Sequence, residues 1–180
     1  MADGAVHVRL ATAADIGALE QLIERSARGL SDGFYTPAQL DAVVTEVFGV
    51  DSQLIADGSY FVLEQDGVLL ACGGWGMRST GCGGDKHKGA PERLLDPAAE
   101  SANIRAFFVD PACARRGLGS LLMARCEQAA RAAGFNSLQL IATMPGVPLY
   151  RKLGFTLVEQ YDLALAVPVP VALMRRQLEP

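Results

Sequence analysis

The sequence predicts a mixed α/β domain in which one sheet carries helices on both faces, and three observations lead there. Apolar and polar residues alternate near the N-terminus, two β-prone runs are joined by Asp66-Gly67, and the second half reads as strand, glycine loop, amphipathic helix and strand. The implied order is β-α-α-β-β-β-α-β-α-β-β. At 180 residues the chain is expected to be a single domain over residues 1–180, long enough to bury one substantial core.

Val6, Val8 and Leu10 alternate with His7 and Arg9, the pattern of a half-buried strand with His7 at the surface. Thr12 followed by Asp15 resembles a capping box, and Ile16, Leu19, Leu22 and Ile23 then keep helical spacing to about Arg28, with Gly29 as the stop. The next helix start is stronger. Thr36 is the N-cap, Pro37 the first helical residue and Gln39 the third, with Tyr35 placed to staple against Leu40 and the helix running to about Phe48.

Residues 59–65 and 68–75 form a hairpin pair, because both central residues of a two-residue turn need positive φ and Asp-Gly supplies them. Residues 78–100 are rich in Gly, Pro and charge, too long and polar for a passive connection. Residues 104–109 are an apolar strand ended by Asp110-Pro111. Leu118, Leu121, Leu122, Cys126, Ala129 and Ala133 share one helical face up to Gly134, which places Cys126 in the core. A strand over 137–142, a short helix over 147–153 closed by Gly154, and an antiparallel pair over 155–166 and 169–177 complete the chain. Pro168 and Pro170 are expected at the turn and edge of that last hairpin.

Half of the residues are hydrophobic, a fifth are charged and the mean hydropathy is +0.20, which excludes disorder. The net charge of −4 conceals a split. Residues 1–100 hold 7 Lys and Arg against 15 Asp and Glu, whereas residues 101–180 hold 9 against 5. The acidic total argues against a nucleic-acid partner; the basic half suits an anionic ligand and the acidic half a cationic one. The longest apolar run, residues 163–174, is broken by two prolines and falls short of the roughly 20 residues a membrane span needs. With no secretory leader pattern and four cysteines lacking any C-x-x-C pair, a cytoplasmic protein with reduced thiols and no membrane partner is expected.

The chemically informative segment runs from Phe107 through Phe108, Val109, Asp110 and Pro111 to Arg115-Arg116-Gly117-Leu118-Gly119-Ser120. Two glycines allow close backbone approach, the helix start offers unpaired N–H groups and partial positive charge, and two arginines add full charges. A diphosphate uses all of these at once. No G-x-x-x-x-G-K-[ST] is present, and Leu122 stands where a dinucleotide fingerprint wants its third glycine. A dinucleotide-binding oxidoreductase is disfavoured on that ground.

These residues resemble the GNAT superfamily of N-acyltransferases, whose acyl-CoA loop has the form [Q/R]-x-x-G-x-[G/A]. The match here is Ala114-Arg115-Arg116-Gly117-Leu118-Gly119, with Ala114 departing at the first position. Leu149-Tyr150-Arg151-Lys152-Leu153-Gly154-Phe155 is similar to the family's Y-x-x-x-G-F helix. The resemblance implies a mostly antiparallel sheet splayed at strands 4 and 5, and acetyl-CoA as co-substrate with no metal. It also implies transfer of an acetyl group to a primary amine of a small-molecule or peptide acceptor by direct attack in a ternary complex.

Residue by residue, it implies that backbone groups of Phe107, Phe108 and Val109 hold the thioester carbonyl and pantetheine. The amides of Arg115, Arg116, Gly117, Leu118, Gly119 and Ser120 would take the pyrophosphate. Phe107 N–H is the expected oxyanion donor, worth about 3–4 kcal/mol, and Tyr150 the acid that protonates the thiolate. The family's carboxylate base falls on Asn103, which cannot take a proton. Glu100, just upstream, is the alternative, acting through water, unless the amine binds already neutral. A non-catalytic acyl-CoA sensor or interaction module on the same fold is the competing reading.

Arg105 shares strand parity with Asn103 and Phe107, so it is expected on the reacting side, either binding an acceptor carboxylate or in an ion pair. Cys82, Asp85 and His87 fit no standard metal spacing. The helices of residues 15–50 and the loop 78–100, both in the acidic half of the chain, are expected to wall the acceptor pocket. The apolar edge at Val169–Met174 hints at a homodimer.

Overall fold

The computed structural model describes residues 4–87 and 92–179. Its elements are β1 (His7–Leu10), α1 (Ile16–Leu30), α2 (Pro37–Glu46), α3 (Ser52–Ala56), β2 (Tyr60–Gln65), β3 (Val68–Gly76), β4 (Ala102–Val109), α4 (Leu118–Ala132), β5 (Ser137–Thr143), α5 (Val147–Lys152), β6 (Thr156–Leu163) and β7 (Val169–Gln177). The strands form one sheet in the order β1-β2-β3-β4-β5-β7-β6. Every neighbouring pair is antiparallel except β4 and β5, which are parallel. This is the mixed sheet the sequence predicts.

Local signals account for most boundaries. The Thr36 hydroxyl accepts from Gln39 N at 3.2 Å and the Gln39 side chain accepts from Thr36 N at 3.0 Å, closing the capping box of α2. Asp66 and Gly67 take φ of 51° and 78°, the left-handed pair that the β2–β3 turn requires. α1 does not stop at Gly29 but continues to Leu30. A Cβ on Gly29 would lie 2.4 Å from the Pro111 ring, so that glycine serves close packing against the segment after β4. The five residues of α3 are too short for any periodicity to show; Asp51 caps them, its carboxylate accepting from Gln53 N at 3.1 Å and Leu54 N at 3.3 Å.

Two layers cover the sheet. On one face Leu19, Leu22 and Ile23 of α1 pack with Tyr60, Val62, Cys72 and Phe108. On the other, Leu118 and Leu122 of α4 pack with Leu63, Ala71, Phe107 and Val109. Cys126 is fully buried on the α4 side, as its place on the apolar stripe predicts.

β7 lies between β5 and β6 and is hydrogen-bonded on both sides, so Val169–Met174 offers no free edge and the expected dimer edge does not exist. The outer strands are β1 and β6. Pro170 is tolerated inside the sheet because the β5 ladder ends one residue later, at Thr143 opposite Val171.

β4 and β5 share only two backbone pairs, Ala102 with Leu138 and Asn103 with Gln139. Beyond them the strands diverge. Asn103 fastens the joined end: its Nδ2 donates to the carbonyls of Arg78 (2.8 Å) and Thr80 (3.2 Å), and its Oδ1 accepts from Gln139 Nε2 (2.9 Å).

Candidate active site

The reacting end of β4 is shaped by a β-bulge. Cys72 pairs with Phe108 and Gly74 with Arg105, which leaves both Ala106 and Phe107 opposite the single residue Gly73. Ala106 takes φ of 54°, unusual for a residue with a side chain. Gly73 is required by contact: a Cβ there would sit 2.6 Å from the Phe107 ring. The extra residue resets the alternation, so Phe107 faces α4 while Arg105 faces α3 and the loop after β3. The period-2 expectation that Arg105 and Phe107 share a side is corrected by this bulge.

A cavity of about 670 Å³ occupies the opening between β4 and β5 and reaches both faces of the sheet. At one end lie Arg115, Gly117, Leu118, Gly119 and Ser120. Gly117 N-caps α4 with φ of 82°, and Arg115 is also left-handed at 66°. Leu121 is the first helical amide with a partner in that turn, donating to Gly117 O at 3.0 Å, so the amides of Leu118, Gly119 and Ser120 precede the helical ladder. With the helix dipole they make an anion-seeking end. Asp110 braces this loop, accepting from Ala112 N at 3.0 Å and pairing with Arg25 at 3.0 Å. Arg116 does not line the cavity; its guanidinium turns back to Cys113 Sγ at 3.7 Å. Gly119 has a different task from Gly117: a Cβ there would meet Leu149 at 2.8 Å, so it lets α4 and α5 pack closely.

Tyr150, on α5, lines the middle of the cavity and is packed edge-on against Phe107 (6.4 Å between ring centres) and Phe155 (5.9 Å). Burial raises its phenol well above the usual value and so keeps it protonated. Val109, expected to offer its backbone, has its N–H donated to the Ser26 hydroxyl at 3.1 Å.

Three candidates are disposed differently from their sequence reading. Glu100 forms a two-pronged pair with Arg93 (2.6 and 2.8 Å) and accepts from Asp96 N (2.8 Å). Arg93 and that amide hold its carboxyl down at about 2, the opposite of what a proton acceptor near neutral pH needs, and it does not line the cavity. Asn103, committed to Arg78, Thr80 and Gln139, does not line it either, so neither is carried forward as a base or substrate ligand. Arg105 does line the cavity, but Nη2 pairs with Asp51 at 2.6 Å and donates to Gly83 O at 2.6 Å, with at most 3% of either charged side chain exposed. The ion pair is the structural reading of this residue.

The opposite end of the cavity is walled as expected by the first helices and the loop after β3. Leu30 and Phe34 come from α1 and its exit, Val43, Val47 and Phe48 from α2 and its exit, and Gly81 to Gly84 from the loop. Phe48 stands edge-on to Phe108 at 5.1 Å. The acidic residues of the first half do not converge on it: among the described residues that line the cavity there is no Asp, Glu or His, and the charged ones are Arg105, Arg115 and Lys152. The acidic residues of the first half are spent elsewhere. Asp15 and Glu64 pair with Arg9, Asp41 with Arg28 and Asp57 with Arg78.

Sequence reasoning gave no role to Ser26, Phe34, Phe48, Cys82 or Lys152. Lys152 had a signal, standing two residues after Tyr150 at a helix end. The others lie in segments expected to wall the pocket, but which of their side chains reach it depends on how the layers close. Among the described residues no three His, Cys, Asp or Glu side chains converge as a metal site. Asp85 instead accepts from Ser52 N at 3.1 Å.

A sequence model of the Acetyltransferase (GNAT) family matches residues 24–155. Among solved structures, a GCN5-related N-acetyltransferase from Rhodopseudomonas palustris superposes with a TM-score of 0.72 at 17% identity, covering 99% of each chain. PaiA N-acetyltransferase from Thermoplasma acidophilum, in complex with coenzyme A, gives 0.65 at 14% identity over 96% of this chain and 99% of that one. A GNAT family acetyltransferase from Brucella melitensis, in complex with acetyl-CoA, gives 0.58 at 18% over 98% and 90%. No curated protein matches the sequence. A family match over residues 24–155 spans most of the chain and takes in the bulged strand, the anion-seeking loop and the Tyr150 helix together: this protein belongs to the acetyltransferase (GNAT) family.

Proposed function

We propose that the protein is an N-acetyltransferase that moves an acetyl group from acetyl-CoA to a primary amine by direct attack within a ternary complex. The observation that carries this reading is one continuous cavity. It runs from the amides at the start of α4, past Phe107 and Tyr150, to the wall made by α1, α2 and residues 81–84.

The orphan amides and the charges of Arg115 and Lys152 fit a pyrophosphate. Acetyl-CoA would supply the activated thioester when bound. Phe107 N–H, presented by the bulge, is the donor to charge developing on the thioester oxygen. Tyr150, kept protonated, gives its proton to the departing thiolate sulfur. No Asp, Glu or His among the described lining residues is there to take the proton from the amine, so the amine enters neutral and releases a proton to solvent after attack, and solvent returns one to the Tyr150 phenolate.

A single domain over residues 1–180 and a cytoplasmic location complete the proposal. Among the described residues no helix is long and apolar enough to cross a membrane. The test is free-thiol release from acetyl-CoA over an amine panel. One observation favours the competing reading, a non-catalytic acyl-CoA sensor: no Asp, Glu or His among the described lining residues could serve as a base. Tight acetyl-CoA binding with no thiol release from any amine would establish that sensor and remove the enzyme.

A further inference from the structure

The far end of the cavity is mostly apolar, and among the described lining residues there is no anionic partner for a cation. Leu30, Phe34, Val43, Val47, Phe48 and Phe108 supply most of its side chains, three of them aromatic. Around the whole cavity the charged side chains of the described lining residues are all basic. The buried carboxylate behind this wall, Asp51, does not line it and is paired with Arg105 at 2.6 Å. An ammonium ion brought here would lose its hydration with no counter-charge among the described lining residues, whereas an aromatic body would bury its surface against Phe34 and Phe48.

Size points the same way. A cavity of about 670 Å³ has room for a small body such as one ring beside the reactive end of the cofactor. An acceptor carboxylate would have to compete for Arg105 with Asp51, which already holds Nη2 together with Gly83 O.

Resting on the acetyltransferase reading above, we infer that the acceptor is a small apolar amine of the aryl or aralkyl class, bound without charge. Polyamines, lysine side chains of basic peptides and free amino acids are selected against. Phe34 is the residue of the wall best placed to set this preference, since it lines the cavity while half-exposed and so stands at its mouth.

The test is thiol release from acetyl-CoA by the full chain with 2-phenylethylamine, spermidine, N-acetyl-lysine methylamide and phenylalanine. The expected result is a kcat/KM for 2-phenylethylamine about tenfold or more above each of the others. Phe34→Glu, a change outside the packed core, is expected to narrow the gap between 2-phenylethylamine and spermidine by a similar factor. A preference for spermidine or the lysine amide, or a Phe34→Glu protein with the same selectivity as the parent, overturns the inference and leaves the acetyltransferase reading standing. Thiol release from none of the amines, with acetyl-CoA still giving a thermal shift, overturns that reading and this inference with it.

Discussion

The Tyr35 hydroxyl accepts from the Met144 amide at 2.9 Å while donating to Pro170 O at 2.8 Å. This one side chain ties the α1–α2 connection to the turn that leads into α5, and α5 carries Tyr150. Both partners lie on the β5–β7 side of the gap, at the end of β5 away from the Asn103 clamp. Tyr35→Phe removes the bridge and leaves a part-buried amide and carbonyl without it, a loss of about 1–2 kcal/mol. We expect a matching drop in unfolding free energy in urea, and a fall in kcat larger than any rise in the KM for acetyl-CoA. Unchanged kcat would separate Tyr35 from the setting of Tyr150.

Tyr150→Phe keeps the ring that packs on Phe107 and Phe155 and removes only the proton. The expected loss is about 100-fold or more in kcat, with acetyl-CoA affinity intact by calorimetry. Equal turnover would strip Tyr150 of the acid role.

With no base among the described lining residues, the ascending limb of kcat/KM against pH belongs to the acceptor. It is expected to shift with the amine's own pKa when benzylamine is replaced by a ring-fluorinated analogue. Glu100→Gln is expected to leave the profile unmoved, because that carboxylate is engaged by Arg93 outside the cavity. Loss of the limb in Glu100→Gln would reinstate it as a base.

Gly119→Ala places a methyl against the far end of Leu149, 2.8 Å away. Overpacking of this kind costs about 1–3 kcal/mol and displaces the first turn of α4. Acetyl-CoA affinity should fall with stability, and adding Leu149→Ala in the same chain should recover part of both. Isothermal titration of the single and double variants decides it.

Arg9, together with the N–H and hydroxyl of Thr12, holds the Asp15 carboxyl below its usual value. A depressed folded value means the stabilisation is present above the unfolded value of about 4 and is lost as pH falls through the folded one. Arg9 is 40% exposed, so much of the charge term is screened. Asp15→Asn should therefore cost about 1 kcal/mol at pH 7, mainly as a lost cap, and the gap to the parent should narrow as pH falls below about 4. A constant gap across that range would exclude the ionised form.

Much of this fold could be read from the sequence because its signals are local. Asp66-Gly67 specifies a hairpin by the φ values it tolerates, Thr36-Pro37 starts a helix through its own hydrogen bonds, and Gly117 must be left-handed wherever it lies. What escaped depends on a partner strand or a packed layer. The bulge at Ala106 exists only because Gly73, over thirty residues earlier, leaves room for the Phe107 ring, and with it went the parity of Arg105. β7 looked like an edge because insertion between β5 and β6 follows from topology, not from its own residues. The acidic first half could not say whether its carboxylates meet at the pocket, since net charge along a chain carries no record of which carboxylates meet an arginine. The loop with Arg115 to Ser120 was legible for the opposite reason: its anion-seeking character is built into the backbone it encodes.

The two backbone pairs between β4 and β5 leave the sheet as two leaves that meet at one end, β1 to β4 on one side and β5 to β7 on the other. A molecule lodged in the wedge does what a missing strand would do, holding the leaves at a fixed opening. Part of the fold's resistance to opening is thus supplied by mass action from whatever fills that gap. The concentration of that ligand becomes, for this chain, a determinant of how long it stays folded.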